Sequence, residues 1–140
     1  MDERALLINF LVCKIGVALA AITLIGAVLA MSSSFERTVK RDELKTVADT
    51  LVQAVRAIDS LPGEVWIARE LPTVEQQFWI DIVGTYDNIQ IVRMTIVGKS
   101  RTERVAILRN KLNGGEFELS CDSPTFIRLA KVGEIHLELV

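Results

Sequence analysis

The stretch Ala5–Met31, ALLINFLVCKIGVALAAITLIGAVLAM, carries one charge, Lys14, and no proline. An α-helix rises about 1.5 Å per residue, so about 20 apolar residues cross the hydrocarbon core of a bilayer. The run is long enough to do this, and its two glycines, Gly16 and Gly26, are residues that membrane helices tolerate. A buried helix of a water-soluble domain is the competing reading. The chain has 140 residues, and those after the run are too few to enclose it. The rest of the chain has to be built onto a membrane-grade helix.

Lys14 divides the run into Ala5–Cys13 and Ile15–Met31. Its ammonium can snorkel to an interface, with the span starting near Ile15. It can instead pair with an acidic group of a neighbouring helix, or mark a processing region over Lys14, Ile15 and Gly16. Snorkelling is the simplest of the three. Small residues crowd the segment: Gly16, Ala18, Ala20, Ala21, Thr23, Gly26, Ala27 and Ala30. They permit close approach of a second helix, and Gly16, Ala20, Ala21, Gly26, Ala27 and Ala30 are the candidate packing residues. Gly16 and Gly26 are not in GxxxG spacing, so no specific dimer motif is present.

Beyond Ser32-Ser33-Ser34 the chain turns polar, and from Asp42 to Ser60 a helical period is clear. Leu44, Val47, Ala48, Leu51, Ala54, Val55 and Ile58 share one stripe, while Asp42, Glu43, Lys45, Asp49, Gln53, Arg56 and Asp59 fall elsewhere. Pro62-Gly63 ends the pattern. A single helix over Ala5–Ser60 would be about 85 Å long. After it the period becomes two. Strands are expected at Glu64–Leu71, Phe78–Val83, Ile89–Val97, Arg104–Arg109, Glu116–Cys121, Thr125–Val132 and Ile135–Val140. Turns are expected at Gly84–Asn88 and, as a hairpin, at Asn113-Gly114-Gly115.

The fold class is therefore α+β: a long N-terminal helix, hydrophobic and then amphipathic, followed by a small antiparallel sheet or sandwich. The chain divides into three segments: residues 1–31 as the membrane-spanning helix, 32–61 as its amphipathic extension and 62–140 as the β-rich head. The stripe Leu44, Val47, Leu51, Val55 and Ile58 is expected to join helix to head.

Chemistry is sparse. Net charge is −2, so the basic excess of a nucleic-acid surface is missing. Cys13 and Cys121 lie in different parts of the chain, and an intrachain disulfide, which needs Cα atoms within about 7 Å, is not expected. There is no CxxC or His/Cys cluster for zinc, and the single histidine, His136, reads as a surface or edge-strand residue. The carboxylates of the head alternate with apolar residues, as on the solvated face of strands. Of the aromatics Trp66, Phe78 and Trp79, at least two are expected in the core. No catalytic constellation, cofactor site or metal site is read, and the chain is not expected to be an enzyme.

This order of parts, Ile15–Met31, then Asp42–Ser60, then strands from Glu64, resembles type IV pilin-like proteins. The archaeal forms are closest: pilins, minor pilin-like proteins and archaellum subunits. The resemblance covers the whole chain in outline and rests on architecture. It implies a structural protein whose helices pack into a filament core, with the β-domains outside. It implies identical or related subunits as partners, a membrane location before assembly, an ATPase-driven assembly machine, and then a cell-surface filament. A single-pass anchored accessory or binding protein, such as a stator-like component of a filament machine, is the other reading. Arg37, Lys40, Arg41 and Lys45 come after the span while only Arg4 precedes it, and positive-inside reasoning then places the head in the cytoplasm.

Overall fold

A computed structural model describes the chain from Glu3 to Val140, with the side chains of residues 3, 5 and 6 excepted. Met1 and Asp2 of the charged N-terminal head lie outside the described residues. The first element is α1, Glu3–Ser60, 58 residues without a break. The three serines do not interrupt it; Ser33 turns its hydroxyl back onto the Ala30 carbonyl at 3.0 Å. The chain divides into two compact units, Met1–Thr38 and Val39–Val140. That division falls later than the one read at Met31, and residues 39–61 belong with the head. The reason is the apolar stripe, which forms part of the head's core.

The second unit holds the end of α1 and seven strands: β1 (Val65–Glu70), β2 (Trp79–Asp87), β3 (Ile89–Val97), β4 (Arg101–Leu108), β5 (Phe117–Asp122), β6 (Phe126–Val132) and β7 (Glu134–Leu139). They form two antiparallel sheets, a three-stranded one in the order β1-β6-β7 and a four-stranded one in the order β4-β3-β2-β5. The α+β reading of the sequence describes this architecture. In the larger sheet β2, β3 and β4 form a meander and β5 returns to lie beside β2, the Greek-key arrangement.

Two expected turns differ. Gly84 to Asp87 continue β2, and the reversal is centred on Asn88, whose φ of 63° is a left-handed conformation that asparagine tolerates better than most residues. The Asn113-Gly114-Gly115 turn has the positive φ its residues announce, at 45°, 81° and 101°. It is not a hairpin, because β4 and β5 occupy opposite edges of their sheet. Between those edges the crossing segment touches the other sheet through a Leu112–Ile135 bridge.

One apolar cluster joins α1 to both sheets, and it includes Leu44, Val47, Ala48, Leu51, Ala54, Val55 and Ile58. Val52, outside the stripe expected from sequence, is buried as well. Two buried amides hold the connections. Gln90 donates to the Gly115 and Thr85 carbonyls at 2.8 and 3.2 Å and accepts from the Leu112 amide at 3.2 Å. Gln76 donates to the Lys40 carbonyl at 2.9 Å and accepts from the Lys99 amide at 3.0 Å.

The end of α1 has no basic residue in its last turn. Lys131 of β6 supplies the missing cation, donating to the carbonyls of Asp59 and Leu61 at 3.2 and 2.7 Å. The Asp59 carboxylate in turn accepts from the backbone amides of Arg109 and Asn110, both at 3.0 Å, and from the Asn110 side chain at 2.8 Å. Burial pushes the Asp59 carboxyl up, but these hydrogen bonds and the Lys131 charge outweigh it and hold it below its ordinary value.

Candidate helix-packing segment and surface groove

In the first unit every large apolar side chain described between Leu7 and Met31 is exposed. The helix is long and apolar enough to cross a membrane. One of its polar side chains is already provided for. The Thr23 hydroxyl lies within hydrogen-bond distance of the Leu19 and Ala20 carbonyls, at 3.0 and 2.9 Å, so it needs no outside partner in hydrocarbon. The Lys14 ammonium sits over the Phe10 ring, 4.7 Å from its centroid. It reaches back toward the N-terminal end of the helix, the direction that snorkelling to that side requires.

Helical geometry sorts the small residues. Gly16, Ala20, Thr23, Ala27 and Ala30 are spaced four, three, four and three apart, which sets them along one seam of the helix. Gly26, three residues from Thr23 and four from Ala30, borders the same seam, while Ala21 lies away from it. A Cβ added at Gly16 or Gly26 would meet nothing within 4 Å. Ile15 is exposed beside the seam. The stripe residues Leu44, Val47, Leu51, Val55 and Ile58 are fully buried in the second unit.

The head carries a second feature that sequence reasoning missed. Only Phe78 of the three aromatics is in the core; Trp66 is 77% and Trp79 47% exposed. The alternation of strands decides this. Val65 and Ile67 point inward from β1, so Trp66 points out, and Ile80 takes the inward position that Trp79 leaves. On the outer face of the three-stranded sheet the register aligns Trp66, Ala130 and His136 in one row and Ala68, Arg128 and Glu138 in the next. Two alanines beside a protruding indole leave a groove of ≈ 600 Å³. His136 is exposed on edge strand β7, with Nε2 3.7 Å from Glu134 Oε1. The signal is present in the sequence as period-two phase, but the phase of β1 depends on its pairing with β6, some 60 residues away.

No protein-family model matches the chain, and no curated protein or solved structure matches it either.

Proposed function

We propose that this chain is a structural subunit of a type IV pilus-like surface filament, held in a membrane before assembly and polymerising through α1, with the β-domain outside. The supporting observation is the exposed apolar segment of α1 with its continuous small-residue seam. Gly16, Ala20, Thr23, Ala27 and Ala30 offer a neighbouring helix close approach at the spacing of a left-handed pair. An apolar helix leaving the membrane must be buried again, and a bundle of like helices does this.

Electron microscopy and intact mass of the fraction sheared from native cells test the reading. Thin filaments built of this chain are expected, and the mass locates any cleavage around Lys14–Gly16. Ala20→Leu or Ala27→Leu should abolish filaments without preventing membrane insertion, whereas Ala21→Leu, off the seam, should be tolerated. Normal polymers from the seam variants would refute packing there. The exposed groove favours a second reading, an anchored binding protein. In that case the chain stays in the membrane fraction at its full 15.6 kDa.

A further inference from the structure

We propose that the groove on the outer face of the three-stranded sheet is a binding subsite for a neutral saccharide. Three observations converge on that chemistry, and none depends on the filament reading. The first is Trp66, which presents a large aromatic surface to solvent instead of to the core. The negative face of an indole attracts the polarised C–H bonds on the flat side of a sugar ring. The second is the floor. Ala130 lies directly opposite Trp66 in the register, and Ala68 stands two residues along β1, so nothing bulky fills the space beside the ring. A sugar can stand on its edge there.

The third is the polar wall. Arg128 and Glu138 face each other across β6 and β7, with Nη1 and Oε2 3.8 Å apart and both side chains well exposed. At that distance they make no tight hydrogen bond, so guanidinium N–H groups and carboxylate oxygens are left for hydroxyls, which both donate and accept. His136 adds a ring nitrogen at the end of the Trp66 row.

Charge selects among ligands. Arg128 and Glu138 balance each other in the lining, so the groove offers a charged ligand no net countercharge. A purely apolar peptide or acyl chain would strip water from Arg128 and Glu138 without replacing it. A neutral polyol with one apolar face satisfies every part of the lining. The volume, ≈ 600 Å³, lies within the range of small-molecule sites and suits one or two sugar rings.

The test uses the full chain in micelles of a zwitterionic detergent with no sugar headgroup. Trp79→Phe leaves Trp66 as the only indole. Methyl glycosides of glucose, mannose, galactose and N-acetylglucosamine, with their disaccharides, are titrated while Trp66 emission and saturation-transfer NMR are followed. At least one should give saturable binding near about 1 mM, tighter for the disaccharide. Binding by saturation transfer should weaken about tenfold or more in Trp66→Ala and in Ala130→Leu, which fills the floor, with the melting temperature unchanged. Arg128→Lys and Glu138→Gln should each weaken it severalfold. Absence of binding up to about 50 mM overturns the proposal. So does equal affinity in the filled-floor variant, or tighter binding of glucuronate than of glucose.

Discussion

Shortening Leu51 to alanine tests whether α1 is the spine of the head. Leu51 is fully buried in the cluster that joins the helix to both sheets. The substitution removes about three methylene equivalents at ~0.8 kcal/mol each, close to 2.4 kcal/mol of transfer free energy. The cavity left behind adds to this, and about 3–4 kcal/mol in total is expected because the surrounding core, shared with both sheets, relaxes only partly into the gap. For a domain of this size 1 kcal/mol corresponds to about 4–8 °C, so the melting temperature should fall by roughly 12–32 °C. The assay is near-ultraviolet circular dichroism of the full chain in detergent, following Trp66, Trp79 and Tyr86 in the head. Far-ultraviolet ellipticity would be dominated by the length of α1 and is the wrong probe. Ala27→Leu, on the exposed seam, serves as the control and should leave the melt unchanged. A fall of less than about 5 °C for Leu51→Ala would refute the reasoning. It would mean that the stripe contributes little to the stability of the head.

Asp59 should make stability acid-dependent. Its folded carboxyl is held below the ordinary value of 3.8, so the unfolded chain binds its proton first. The stabilisation is complete above that value and disappears as pH falls through the folded one; denaturant titrations from about pH 5 to about pH 2 should show the loss. Asp59→Asn should remove that share of the slope and cost about 1 kcal/mol at neutral pH, a figure reduced for the group's partial exposure. A second expectation concerns Gly84, paired with Phe117 across β2 and β5. A Cβ there would run into the Phe117 ring, so Gly84→Ala should destabilise the head by about 1–3 kcal/mol, read by urea unfolding. Gln90→Leu should lower the urea midpoint as well, since the Gly115 carbonyl and the Leu112 amide would be left buried and unpaired.

The features legible in the sequence are those that depend on near neighbours. The stripe from Leu44 to Ile58 repeats every three or four residues, and those side chains form the core. The span of β3, Ile89–Val97, comes from its β-branched run. Pro62-Gly63 closes the helix because neither residue continues one, and Gly63 takes a φ of 78°. The features that escape it depend on remote pairing. Val52 is buried because two sheets border the helix, a wider cover than one stripe predicts. Trp66 faces outward because of the phase that β6 imposes on β1. The Lys131 cap joins residues 70 or more apart, and no local pattern marks it. Composition groups the small residues of α1 together, and only helical angle separates Ala21 from the seam.

The pairing of β1 with β6 sets the order in which this chain can acquire its structure. The core helix is synthesised first, but β1 has no partner until Phe126–Val132 have been made, and Lys131 reaches the helix end only then. Contacts so distant in sequence form slowly, and unpaired strand edges and bare apolar stripes aggregate while they wait. During that interval Leu44, Leu51, Val55 and Ile58 lack the cover that Ile127, Leu129, Ile135 and Leu137 of the three-stranded sheet add to the same core. The last two strands, β6 and β7, therefore complete the three-stranded sheet and bring the cap of α1 in one late step.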